Sequence, residues 1–214
     1  MRKLSDYIRG FNYFFNYHLR EKPLGLDFSM RDLSEIKDAR QHGYSMTSDG
    51  ALSNIAKKVD FNGKLLLDIG SGKGRVLFQS VRLGAKKAEG IEYSEKFHSI
   101  ASSNFRILGV TEKCKSNLYD ATEFKRYNKF DIFFLFNPFN DDLYEQVIDI
   151  MMEQCEFRTN QRFIICYGGG NLASITKYKN VNKAVKKGNL LDIYAAFALK
   201  RFRSASEPLW KRID

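Results

Sequence analysis

Short, almost uninterrupted apolar runs alternate along this chain with segments whose apolar positions recur at helical spacing. Apolar runs fall at residues 65–69, 130–136 and 162–167, with 130–136 reading as a central strand buried on both faces, and further strands are expected near 87–92 and 113–118. Between them, residues 73–83 carry Val76, Leu77, Val81 and Leu83 on one side and stop at Gly84. Residues 94–108 carry Phe97, Ile100, Ala101, Phe105 and Leu108, with Ser94 as the N-cap and His98 as a half-buried packing residue. A further helix is expected over 49–59, ahead of the first strand. Strands that alternate with helices predict an α/β fold in which crossovers build a parallel sheet. The last strand-like runs, 182–187 and 190–202, flank Gly188-Asn189 and read as a hairpin.

Residues 1–48 stand outside this alternation. Tyr7, Ile8, Phe11, Phe14, Phe15 and Leu19 make an aromatic face at mixed helical spacing, which predicts a helical cap or lid. Two units are therefore expected, the cap over 1–48 and the α/β domain over 49–214. The segment from Gly43 to Ser48 is placed to close over whatever the domain binds, with Tyr44 as the residue to watch.

The chemistry concentrates at strand ends. The first strand runs into Asp68-Ile69-Gly70-Ser71-Gly72-Lys73-Gly74, where glycines permit a tight turn and close approach of a ligand. A dinucleotide fingerprint would need glycine at position 75, which is Arg75. No Gly-Lys-Ser/Thr closes the loop, which disfavours a phosphate loop. A turn that binds nothing is the bland alternative. Glu92 ends the second strand about twenty residues beyond the glycines, where an acid can accept from both ribose hydroxyls. Glu89 lies mid-strand and is less well placed. The fourth strand ends in Asn137-Pro138-Phe139-Asn140, and the fifth runs through Tyr167 into Gly168-Gly169-Gly170.

The acid followed by glycines at 70, 72 and 74 resembles motif I of the class I S-adenosylmethionine (SAM) methyltransferases. That resemblance implies a Rossmann-like fold with a mostly parallel seven-stranded sheet ending in an antiparallel hairpin. It implies SAM as cofactor and S-adenosylhomocysteine as product. Asp68, Gly70, Ser71, Gly72 and Gly74 would hold the methionine part, and Glu92 with Tyr93 the ribose side. Leu118 and Asp120 would meet the adenine, with Tyr44 closing over it. Asn137-Pro138 resembles motif IV of amino-methylating enzymes, in which a side-chain oxygen and a backbone carbonyl aim an amine at the methyl group. One proline stands where that motif has two. A second likeness is to the Asn-Asn-Phe segment of Dot1-type lysine methyltransferases. Asn137, Pro138 and Tyr167 are the expected catalytic residues, and an amine of a protein or small molecule is the preferred acceptor.

Composition narrows the classes further. Cys114, Cys155 and Cys166 are far apart and, with three histidines, form no metal signature, so no metal is expected. No segment reads as a signal peptide or membrane span, which suggests a cytoplasmic protein. The net charge is +10, and residues 170–214 supply +7 of it from ten Lys/Arg against three Asp/Glu. A patch of that kind suits a phosphate backbone, an acidic protein or an anionic surface. RNA or DNA methylation and a SAM-binding partner without transfer activity are the alternative functions.

Overall fold

The computed structural model describes residues 16–28, 32, 34, 43–155, 162–167, 175, 177, 181–187 and 191–196, the last two segments as backbone. Seven strands make one sheet: β1 (Leu65–Ile69), β2 (Lys87–Glu92), β3 (Cys114–Leu118), β4 (Ile132–Leu135), β5 (Arg162–Tyr167), β6 (Val181–Lys187) and β7 (Leu191–Ala196). Their order is β3-β2-β1-β4-β5-β7-β6. The first five are parallel, and β7 enters antiparallel between β5 and β6. Strand order reverses between β1 and β4, so a crevice opens at the carboxyl ends of those two strands. Open α/β sheets bind ligands at such a switch point.

Four helices complete the described domain: α1 (Asp49–Ala56), α2 (Arg75–Arg82), α3 (Glu95–Ile107) and α4 (Asp141–Cys155). The apolar runs of β1, β4 and β5 have a simple cause. Alternate strand residues point to opposite faces, and both faces are covered. Leu66, Ile132, Phe134 and Ile165 pack on one side with Leu52 and Ile55 of α1, Leu77 of α2 and Phe105 of α3. Leu67, Phe133, Leu135 and Ile164 pack on the other with Val147, Ile148 and Met151 of α4. Helix starts follow the sequence closely. The Ser94 hydroxyl accepts from Phe97 N–H, and the Ser48 hydroxyl caps α1 by accepting from Ala51 N–H.

The aromatic face expected over residues 7–15 lies outside the described residues, as does the glycine run 168–170. Where the N-terminal region is described it is irregular: a π-helical turn (Asn16–Glu21), a 3-10 turn (Lys22–Leu24), and a single antiparallel bridge between Asp32 and Tyr44. This material lies against the glycine turn rather than extending the sheet.

One buried cation holds the far end of the domain together. Arg162, at the start of β5, is 3% exposed. It donates to the carbonyls of Phe130 (2.9 Å), Cys155 (3.0 Å) and Asn128 (3.2 Å), which joins the end of α4 to the approach to β4. Removing it strands three carbonyls, and an unsatisfied buried acceptor costs about 1–3 kcal/mol. Arg162→Met should therefore lower unfolding stability by about 3 kcal/mol, read from urea titration by circular dichroism.

Candidate functional site

The switch-point crevice is a cavity of about 120 Å³. Its floor is the β1 turn, with Asp68, Gly70, Ser71 and Gly72. Glu92, Tyr93 and Ser94 line it from the end of β2, Tyr119 and Ala121 from the segment after β3, and Asn137, Pro138 and Phe139 from the end of β4. Gly43, Tyr44, Ser45 and Thr47 close it from the N-terminal side.

The floor depends on glycine at two places. Gly70 has φ +77°, and a Cβ there would stand 2.6 Å from Cβ of Pro138, so the first and fourth strand ends meet through that missing side chain. Gly72 has φ +53°, and its Cα face lies against the Tyr44 ring. Its N–H donates to Glu92 Oε2 at 2.7 Å, while Ser94 N–H donates to Oε1 at 2.8 Å. These two backbone donors hold the Glu92 carboxylate at the cavity wall.

Asp68 is the most unusual group in the cavity. It is 2% exposed, and no hydrogen bond reaches its carboxylate from the described residues. Burial, reinforced by the nearby charge of Glu92, raises its pKa well above the usual carboxylate range. The hydroxyls of Ser71, packed over Gly90, and of Ser80 are also buried without a partner among the described residues. Buried polar groups are ordinarily satisfied, so Asp68, which lines the cavity, calls for a ligand with a positive group. The ammonium of an amino acid fits that requirement.

Asn137 supplies the opposite wall. It is the one residue other than glycine at positive φ (41°) among the described residues. Bulky residues avoid this region, and asparagine tolerates it best. The strained turn carries Pro138 onto Gly70 and leaves Phe139 in the cavity, 6.4 Å from the Tyr144 ring between centroids. Asn140 turns away. Its side-chain oxygen accepts from Leu143 N–H at 3.1 Å at the start of α4.

Four of the residues expected from sequence do not line the cavity. Gly74 caps α2 with φ +83°, and its Cα faces Phe105. Leu118 does not border the cavity and the adjacent Tyr119 does, although both are about half exposed. Asp120 spends one oxygen on a local turn, accepting from Thr122 N–H (2.8 Å) and its hydroxyl (2.7 Å). Tyr167 packs edge-on against Phe136 at 5.0 Å, and it is Phe136 that lines the cavity. The sequence reading did not single out Lys73, Arg75 or Phe97. A polar residue inside a glycine turn gives no sign of which way it faces.

Residues 48–195 match the protein family described as conserved hypothetical protein 95. The chain belongs to this family of SAM-dependent methyltransferases. No curated protein matches it. Among solved structures, the methyltransferase resembles an RNA methyltransferase from Salinibacter ruber in complex with S-adenosylhomocysteine. Identity is 15% and the TM-score 0.57, over 76% of this chain and 99% of that one. It also resembles a SAM-dependent O-methyltransferase from Thermotoga maritima (18% identity, TM-score 0.57, 75% and 69% covered). A third is the ribosomal protein L11 methylase from Lactobacillus delbrueckii subsp. bulgaricus (13%, TM-score 0.52, 71% and 79%). These likenesses concern the fold. The methyltransferase uses SAM as its cofactor, and no described helix is long and apolar enough to cross a membrane.

The raised pKa of Asp68 has a definite sign for stability. The folded protein holds this proton more tightly than the unfolded chain. The contribution is present below the unfolded pKa and is lost as pH rises through the folded one. Asp68→Asn keeps the shape without the charge. It should raise the melting temperature of the ligand-free methyltransferase at pH 8, and the gain should shrink toward pH 4. An unchanged or lower melting temperature at pH 8 would contradict the buried, unpartnered carboxylate.

Proposed function

We propose that this methyltransferase transfers the methyl group to a planar amine nitrogen of an RNA base. The observation that carries this reading is Asn137-Pro138-Phe139 at the mouth of β4. A left-handed asparagine there lines the same cavity as the unpartnered acid Asp68. An amide oxygen and a neighbouring carbonyl can accept both protons of a planar amine, which fixes the direction of its lone pair. The Phe139 ring offers a face on which a base can stack. A net charge of +10 suits a polyanionic substrate, and one structural neighbour is described as an RNA methyltransferase.

The cofactor, when bound, supplies a methyl group on a sulfonium already electrophilic enough to need no further activation. The residues' work is placement. Asp68 would neutralise the ammonium of the methionine part, and the turn at Gly70–Gly72 lets that part approach the backbone. Glu92 would accept from ribose hydroxyls. Tyr93, 59% exposed, and Tyr119 would flank the adenine from the cavity rim. Asn137 would orient the acceptor, and Pro138 sets the distance between acceptor and cofactor walls through its contact with Gly70. Residues 1–48 would act as a cap over this arrangement.

Two variants separate binding from transfer. Glu92→Ala should weaken S-adenosylhomocysteine about tenfold or more by calorimetry, because charged hydrogen bonds are lost. Asn137→Ala should bind it within about threefold of wild type, yet lose about a hundredfold or more in transfer. The assay is tritiated SAM with RNA and protein fractions from cells lacking the enzyme. Label in RNA that depends on Asn137 is the expected result. Label confined to protein would refute the RNA acceptor, and transfer that survives Asn137→Ala would refute the role given to that residue.

A further inference from the structure

Lys73 lies in the middle of the glycine turn and is 1% exposed. Its ammonium donates to both carboxylate oxygens of Asp27, at 2.8 and 2.7 Å. Asn104 of α3 locks the pair from behind. Its side-chain oxygen accepts from Asp27 N–H (3.0 Å), and its amide donates to the carbonyls of Asp27 (3.0 Å) and Lys73 (3.2 Å). The same ammonium lies 5.1 Å from the centroid of the Tyr44 ring, the ring that covers Gly72 in the cavity. The Tyr44 hydroxyl donates to the Phe28 carbonyl, and Phe28 N–H donates to Glu21 Oε2 at 2.8 Å. Glu21 in turn pairs with Arg75 at 2.9 Å, one residue past the turn.

These contacts form a closed circuit. It leaves the glycine turn at Lys73, passes through residues 27, 28 and 21, and returns at Arg75, with Tyr44 held across it. An ion pair with a buried cation is a poor way to add stability alone. Desolvating the Lys73 ammonium costs several kcal/mol, and apolar replacements of similar volume are often neutral or better. What the pair does supply is geometry: a fixed separation between the turn, the segment around Asp27 and the Tyr44 ring.

We propose that Lys73 is a positioning residue for the cofactor pocket. Through its ion pair with Asp27 it holds Tyr44 and the Gly70–Gly74 turn at the spacing that S-adenosylhomocysteine requires. Residues near 27 thereby become part of the binding site without lining it. The inference rests on the assignment of this cavity as the cofactor pocket.

The test compares Lys73→Met, Asp27→Asn and the double variant, with melting temperature and calorimetric affinity for S-adenosylhomocysteine measured for each. Asp27→Asn removes the carboxylate that pairs with a buried ammonium and should lower the melting temperature most. The double variant removes both charges and should recover that temperature. Affinity should fall about tenfold or more in all three and should not recover in the double variant. Recovery of affinity together with melting temperature would show a purely structural pair and overturn the inference, as would wild-type affinity in Lys73→Met. If Lys73→Met does not fold, the double variant decides the matter alone. Wild-type protein that fails to bind S-adenosylhomocysteine would instead overturn the pocket assignment and the inference together, a result distinct from weakened variants of a binding wild type.

Discussion

The site depends on how the turn after β1 is tied to the end of β2: Gly70 and Ser71 N–H both donate to the Ile91 carbonyl at 3.0 Å, and Gly72 N–H donates to the Glu92 carboxylate at 2.7 Å. These bonds fix the floor of the cavity relative to one wall. The other wall is set by steric contact, since Pro138 fits against Gly70 only because that residue has no side chain. The third side is the Tyr44 ring over Gly72. A short loop thus meets three neighbours at once, with glycine at each point of close contact. The sheet beneath makes this precision feasible, because β1 is paired on both sides and its end cannot wander.

The cavity also illustrates a trade between stability and function. Among the described residues neither buried Asp68 nor buried Ser71 has a hydrogen-bond partner, and Asn137 is held at a backbone angle that most residues avoid. Each disfavours folding on its own account, and all three border one space. Such costs persist where the surrounding structure over-determines the conformation, and they gather where a ligand repays them. The circuit through Lys73 and Asp27 provides part of that over-determination.

Much of the fold was legible in the chain. The strands β1, β4 and β5 declared themselves as apolar runs because both sheet faces are buried there, and Ser94 marked a helix start through capping chemistry. Asp68, Glu92 and Asn137 were legible because backbone turns at strand ends leave few places for such residues to go. Side-chain direction was harder to read. Leu118 and Tyr119 are adjacent and almost equally exposed, yet only Tyr119 borders the cavity. Asp120 was claimed by its own local turn. Lys73 and Arg75 were invisible as structural residues, because their partners lie 46 and 54 positions away in a region without periodic pattern.

The place of β7 has a further consequence. This strand follows β6 in the chain yet lies inside the sheet, between β5 and β6. β6 has no edge to pair with until residues 191–196 are available. During synthesis the parallel sheet can assemble through β5 while β6 waits, solvated, for the strand behind it. The exposed edge of β5 therefore persists for the time the ribosome needs to deliver the last strand, and nascent sheet edges of this kind are where chaperones and aggregation compete.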